Sequence, residues 1–446
     1  VPGMILTADI QVEQRNVLIQ KTSTAASIIL PDKKSVFRGE GEVLPENQFE
    51  LRAMVQSLLQ IAPETQALGA VLLNAPASAL AALLLQFLPS DFTIKQPSDG
   101  KWTVENNDYL LEIEKGRGIT RIELGEERDE RILIEMIRNE DRPSIPRFNT
   151  EGYEVQVVDR NTLERTLKRG LLRAAEIQYE NGTFPRPSDG VTTVPNGKLV
   201  VQGGNRLLQI SGTSREMGLA HGQLLKNEIR KVGDSTLYTV GLMYSVESGK
   251  WFPAEIQKAW DTFGKYIPPE HLEEMQGIAE GAGISYEEVK LANFFPELFH
   301  CSGFAVAGKA TKDGKLYHGR VLDYMTDIGL QYYAVVIISK PNGKHAFANI
   351  SYAGFNGSVS GMNEKGISIG EMGGRGEGNW DGLPMAHLIR KALEETHYNQ
   401  TRAAALLGTT RRILKYKIDK LGLSDTGPSR PAETDRTPNA AQGTSH

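Results

Sequence analysis

At 446 residues, with 40% hydrophobic and 24% charged side chains, the chain has the composition of a globular protein of two or three domains. A formal net charge of −5 excludes a global pull toward nucleic acid or anionic membrane, so any such contact must be local. The one cysteine, Cys301, excludes internal disulfides and leaves thiol chemistry as its only chemistry.

Residues 1–145 are expected to form an α/β region of unassigned role. Met4–Val12, Val71–Leu73 and Tyr109–Glu114 read as strands, while Leu51–Ile61, Ser78–Leu88 and Asp129–Ile137 carry apolar residues at helical spacing. The longest apolar stretch, Ala77–Leu88, is about half the length a bilayer span needs, so no membrane role is expected. No basic region followed by a long apolar core opens the chain, which makes the cytoplasm the default location. Pro2–Ile10 resembles the C-terminal strand of periplasmic membrane-fusion adaptor proteins, over these few residues alone.

Residues 146–197 read as a linker. It follows a Pro-rich link at Arg142–Pro146, carries one charged helix over Asn161–Tyr179, and ends in a Pro/Gly-rich stretch from Gly182 to Gly197. A third zone, 198–386, is dense in strands and glycines. The helices Ser214–Lys231, Pro253–Tyr266 and Pro269–Gly283 precede Cys301. A strand over Cys301–Val306, a turn at Lys312–Lys315 and a second strand over Leu316–Tyr324 then place Arg320 and Asp323 on a hairpin partner of the thiol. A thiolate attacks an amide or thioester carbonyl well only if its proton has an acceptor. At a chain N-terminus the α-amine, with a pKa of about 8, can be that acceptor. Exposing it requires cutting the bond between His300 and Cys301 by attack of the thiol on the preceding carbonyl. Arg320 can lower the thiol pKa or fix the acyl group, and Asp323 can hold the α-ammonium.

The segments Arg215–Gly222, Leu298–Phe304, Gly319–Tyr324, Tyr352–Phe355, Gly361–Ser368, Gly370–Gly374 and Trp380–Met385 occur in one order. Together they resemble the isopenicillin-N acyltransferase-like family of autoproteolytic N-terminal-nucleophile acyltransferases and amidohydrolases. The resemblance covers about 198–385. It implies an αββα sandwich, Cys301 as nucleophile, Arg320 and Asp323 in support, and Asn363 as an oxyanion donor. Asn363 reads equally as a plain turn residue in Asn-Glu-Lys-Gly. The implied substrate is a small-molecule amide or acyl thioester. After about Ala386 the sequence leaves that family's pattern, so the sandwich is expected to be truncated. His221 and His318 read as structural, the Gly373–Gly378 run as a loop, and neither a metal nor a cofactor is expected.

Beyond that point the pattern changes. His387–Thr396, Thr401–Leu407 and Arg411–Leu421 read as three helices, with Gly408 making the tight turn and Asn399 able to cap the second. In the third helix Arg411, Arg412, Lys415, Lys417 and Lys420 outweigh Asp419, against the acidic balance of the whole chain. Residues 387–423 resemble the Fis-type DNA-binding domain that ends many sigma-54-dependent activators. The resemblance implies double-stranded DNA as partner, dimer formation through these helices, and contacts from Thr409, Thr410, Arg411, Arg412, Lys415 and Lys417. Residues 424–446 are rich in Pro, Ser, Thr and Gly and are expected to be disordered.

The expected architecture is therefore α+β. It comprises an αββα N-terminal-nucleophile hydrolase-like sandwich, a preceding α/β region and a C-terminal all-α helix-turn-helix. The leading functional expectation is an autoproteolytic thiol acyltransferase or linear-amide hydrolase. The alternatives are a DNA-binding transcriptional regulator and a mosaic without integrated activity.

Overall fold

The computed structural model describes residues 4–12, 15–21, 25–49, 57, 93–95, 100–105, 109–114, 118–124, 130–138, 150–294, 302–322, 326–371 and 381–396. Strands β1 (Met4–Val12), β2 (Arg15–Lys21), β3 (Ala26–Leu30) and β4 (Ser35–Glu40) form an antiparallel meander. A second meander follows from β5 (Thr93–Lys95), β6 (Lys101–Glu105), β7 (Tyr109–Glu114), β8 (Gly118–Leu124) and β9 (Glu130–Arg138). Pairing of β1 with β9 joins the two, and β10 (Glu154–Asp159) adds in parallel to β4. The result is one ten-stranded sheet.

The expected strands at Met4–Val12 and Tyr109–Glu114 are present. Asp129–Ile137 is corrected from helix to strand. Its run Arg131-Ile132-Leu133-Ile134-Glu135-Met136-Ile137 fits either period, and the backbone pairs with β1 on one side and β8 on the other. Ladder bonds on both sides decide what the periodicity leaves open.

Asp159 ends β10 and caps α1 (Arg160–Thr183), its carboxylate accepting from the Thr162 N–H at 2.7 Å. Leu163 and Leu167 on this helix pack into a core with Ile19, Ile28, Phe37 and Trp251. The helix ends on Phe184 in left-handed conformation. The Pro/Gly-rich stretch after it already contains β11 (Gly190–Val194), so the second sheet starts ahead of Lys198.

That sheet continues through β12 (Gly197–Gln202) and β13 (Asn205–Gly212). Further strands, β16 (Ala334–Pro341), β17 (Phe347–Tyr352), β18 (Ser360–Asn363) and β19 (Ser368–Gly370), extend it. Every neighbouring pair is antiparallel except β13 and β16, which run parallel. Such a parallel step needs a long crossover. Here it carries a helical layer and a separate hairpin of β14 (Ser302–Gly308) and β15 (Gly314–Val321).

The helical layer begins with α2 (Ser214–Leu224), whose Thr213 and Glu216 form a capping box. Next come α3 (Lys226–Gly233), α4 (Val240–Ser248), α5 (Phe252–Phe263), α6 (Pro269–Ala282) and α7 (Tyr286–Ala292). The expected helix Ser214–Lys231 is thus two helices, broken at Leu225. Helices α2 and α6 interlock through glycines. A Cβ on Gly222 would lie 2.4 Å from the Ile278 carbonyl oxygen, and one on Gly281 2.4 Å from that of Leu219. Met217, Ala220 and Leu224 of α2 then reach Leu199, Leu208 and Ile210 of the sheet in the largest core.

The last described helix, α8 (Met385–Glu395), packs Ile389 and Leu393 against Phe347 of β17. The protein is thus mixed α/β with several sheets and a C-terminal helix. Among the described residues no helix is long and apolar enough to cross a membrane. The readings at Val71–Leu73, Ser78–Leu88, Arg142–Pro146, Thr401–Leu407, Arg411–Leu421 and Ser424–His446, and all of Leu51–Ile61 except Ser57, lie outside the described residues.

Candidate functional site

The β14–β15 hairpin places Ser302 opposite Val321 and Gly303 opposite Arg320. Cys301 and His300 precede this ladder directly and Asp323 follows it by two residues; all three lie outside the described residues. Arg320 is described. Its Nε donates to the main-chain oxygen of Glu371 at 3.0 Å and its Nη2 to Glu371 Oε2 at 2.8 Å. The two side chains are 5% and 2% exposed. A buried guanidinium is tolerable only when a carboxylate sits this close, and the pair fixes the position of both. Glu371 in turn is held by its own N–H, which donates to the Val359 oxygen at 2.9 Å.

Gly370 lets β15 come close. A Cβ there would lie 3.0 Å from Arg320 Cγ and 3.1 Å from His318 Nε2. His318 Nδ1 meets Ser368 Oγ at 2.6 Å, so His318 ties β15 to β19 and has a structural partner. The second oxygen of Glu371, Oε1, is buried with no hydrogen-bond partner among the described residues. An acceptor without a donor in a water-poor place costs free energy unless something fills it. The hairpin end thus holds a guanidinium and a carboxylate, each fixed by the other. Reading the sequence missed Glu371. The only available signal was its place in Gly-Glu-Met-Gly-Gly, which does not reveal an arginine partner 51 residues away.

Asn363 sits in the turn that its sequence also allows. Ser360 of β18 faces Gly370 beside Arg320, and Asn363 stands at the other end of that strand. Its Nδ2 donates to the carbonyls of Leu393 and Thr396, both at 2.8 Å. Its Oδ1 accepts from the N–H groups of Lys365 at 3.1 Å and Ile367 at 2.9 Å. Both amide hydrogens are used, so it closes a turn and caps α8.

Beneath α8 lies a buried polar cluster. Arg390 donates to Glu274 at 3.0 and 2.5 Å, to Glu394 at 2.8 Å and to the Asn356 carbonyl at 2.6 Å. Lys344 Nζ reaches Glu394 at 2.6 Å and Glu270 at 2.9 Å. His271 Nδ1 meets His387 Nδ1 at 3.1 Å, and His271 Nε2 meets Glu394 at 3.4 Å. These contacts are mutually consistent if His271 carries its proton on Nε2 and His387 on Nδ1. Burial pushes the His271 ring down to about 4, with the Arg390 charge acting in the same direction against Glu394. Burial likewise holds His387 well below its ordinary value. His221 receives the Gly354 N–H on Nε2 at 3.0 Å, and burial pushes it down to about 3. No group of three or more His, Cys, Asp or Glu able to hold a metal occurs among the described residues.

The basic residues of the third C-terminal helix, Arg411, Arg412, Lys415 and Lys417, and Thr409 and Thr410 before them, lie outside the described residues. Residues 386–421 match the bacterial regulatory protein, Fis family, so the segment starts within α8. Other similarities cover a larger part of the chain. It is 30% identical over 218 residues to "Protein dcd1A" of Dictyostelium discoideum, covering 42% of this chain and 49% of that protein. It is 28% identical over 210 residues to an uncharacterized protein of Archaeoglobus fulgidus, covering 40% and 34%. To "Protein dcd1B" of Dictyostelium discoideum it is 24% identical over 232 residues, covering 46% of each. The chain spans between a third and a half of the length of these curated relatives. The Fis-type segment is too short to carry similarities of this length.

Proposed function

We propose that the chain is a DNA-binding regulator acting through its C-terminal segment. The observation that carries this is the Fis-type match over 386–421, within which the net-basic helix falls. Thr409 and Thr410, in the turn before that helix, and Arg411, Arg412, Lys415 and Lys417 on it supply phosphate and base contacts in the major groove. Two such segments would read two half-sites. The measurement is retention of a mixed-sequence DNA duplex across a salt series. Arg411→Ala/Arg412→Ala should weaken binding and reduce the salt slope by about 2. Retention unaffected by the double substitution would sink this reading.

A second reading is favoured by the buried Arg320–Glu371 pair at the mouth of the hairpin that Cys301 enters. In it, residues 198–386, with β11 ahead of them, are an N-terminal-nucleophile domain, preceded by an α/β region (1–145) and a linker (146–197), and followed by the helix-turn-helix (387–423) and tail (424–446). The seven-stranded sheet and α2–α7 would be one half of an αββα sandwich, and β14–β15 the start of the other. The Cys301 sulfur attacks the His300 carbonyl and displaces the Cys301 nitrogen, giving a thioester with a free α-amine. Water hydrolyses that thioester, leaving a His300 carboxylate and the Cys301 thiol. The freed amine then takes the thiol proton while sulfur attacks an amide or acyl-thioester carbonyl; the ammonium returns that proton to the departing amine or thiol, and water or an acceptor amine cleaves the acyl-Cys301 thioester. Arg320 holds the acyl oxygen and Asp323 the α-ammonium. Mass spectrometry of the purified chain decides it. Fragments meeting at His300 and Cys301, absent in Cys301→Ala, are expected; an intact chain identical to the variant is incompatible with the reading.

A further inference from the structure

The Fis-type match opens at residue 386, inside a helix already packed on the sheet of β11–β13 and β16–β19, which with α2–α8 forms one α/β domain. Every residue of α8 is buried or half-buried. Ile389 and Leu393 pack with Phe347, and Ile367 and Ile369 close over them. Ala386 lies against Gly357, where a Cβ would stand 2.8 Å from its own, and Leu393 Cδ1 lies 2.5 Å from the Cβ position of Gly361. Arg390 is sealed among Glu274, Glu394 and the Asn356 carbonyl. The last carbonyls are taken by Asn363 and, at Glu394, by the His345 N–H at 3.0 Å. At 100° per residue, the face left over carries Leu388, Lys391 and Glu395.

The residues that follow carry an apolar pattern of their own. Leu406, Leu407, Ile413, Leu414, Ile418 and Leu421 recur at helical spacing. A helix-turn-helix of this size buries such residues against the apolar stripe of its first helix. In α8 that stripe is Ile389 and Leu393, and those side chains cannot occupy two cores at once.

We propose that α8 is a two-state helix. Docked, it completes the α/β domain and withholds the first helix from the DNA-binding segment; released, it completes that segment and strengthens DNA binding. This rests on the DNA-binding reading and adds its regulation: stability of the α/β domain and affinity for DNA oppose each other through one helix.

The test uses the full chain and a fluorescent mixed-sequence duplex at low salt, with hydrogen exchange over 385–396 as the readout of docking. Gly361→Val adds a wedge under Leu393, and Gly357→Ala is a milder wedge under Ala386. Either variant should lose protection over 385–396 and bind the duplex about tenfold more tightly. The gain should disappear in the Arg411→Ala/Arg412→Ala background. Release of 385–396 with unchanged or weaker DNA binding overturns the switch, while binding that still depends on Arg411 and Arg412 leaves the DNA-binding reading intact. Full protection retained in both wedge variants also overturns the switch. Absence of duplex binding in every form, wild type included, removes the DNA-binding reading and the switch with it.

Discussion

His221, His271 and His387 are each almost fully buried, and burial makes protonation the event their surroundings resist. The groups facing the His271–His387 pair are Arg390, Lys344, Glu394, Glu274 and Glu270. Folded, His221 titrates at about 3 and His271 at about 4, against an ordinary value near 6.5. Between those values the unfolded chain binds protons that the folded chain refuses. Stability is therefore complete above the ordinary value and falls as pH drops toward the folded ones. Glu394, held below the carboxylate range chiefly by the Arg390 charge against its own burial, adds a loss of the same sign at lower pH. Glu274, which burial raises despite Arg390, works in the opposite sense in its own window. The unfolding free energy from urea titration should fall between pH 7 and pH 5, by about 1–2 kcal/mol for each of His221 and His271, with His387 adding a loss of the same sign. His271→Gln/His387→Gln should reduce that fall to the part His221 carries, and an equally steep fall in the double variant would assign it to other groups.

The α2–α6 contact is built on glycines. Met-Gly-Leu-Ala-His-Gly in α2 and Gly-Ile-Ala-Glu-Gly in α6 put glycines on both facing surfaces, and the helices approach until backbone meets backbone. Gly222→Ala should destabilise by about 1–3 kcal/mol, since its Cβ would meet main-chain atoms that cannot rotate away. Gly233 has φ −60° and nothing within 4 Å of its Cβ position, so Gly233→Ala should be neutral or stabilise by up to about 1 kcal/mol. Chemical denaturation of the two variants separates packing from helix propensity. Other elements were legible to differing degrees. The hairpin of Ser302–Val321 could be read from turn residues and alternation, because local pairing needs no distant partner. The strand Glu130–Arg138 could not, because β1 lies more than a hundred residues away and its ladder overrides an ambiguous period. Arg320 was legible as a candidate; its partner Glu371 and the diversion of Asn363 to α8 were not, since both depend on side chains meeting across the fold. The helix Met385–Glu395 was legible as a helix, but not its ownership by the α/β domain.

At the scale of the molecule, the two large sheets share more than a linker. Helix α1 buries Leu163 and Leu167 in the first core, and farther along it Arg173 donates to Ser235 at 2.9 Å and to Glu180 at 2.9 and 2.7 Å. Glu180 also accepts from the Tyr333 hydroxyl, next to β16 of the second sheet. The return contact comes from Trp251, at the N-cap of α5 in the helical layer, whose ring lies 5.2 Å from that of Phe37 in β4. Gln156 of β10 donates to the Gly249 carbonyl at 2.8 Å nearby. Trp251 belongs by sequence to the helical layer and by burial to the first core, so removing it opens a cavity at the join. Trp251→Ala should cost about 3–5 kcal/mol. If the join makes the two cores one cooperative unit, native-state hydrogen exchange should show β3 and β4 losing protection together with β13 and β16. Loss confined to β3 and β4, with β13 and β16 unchanged, would instead make the two sheets separate folding units that merely touch.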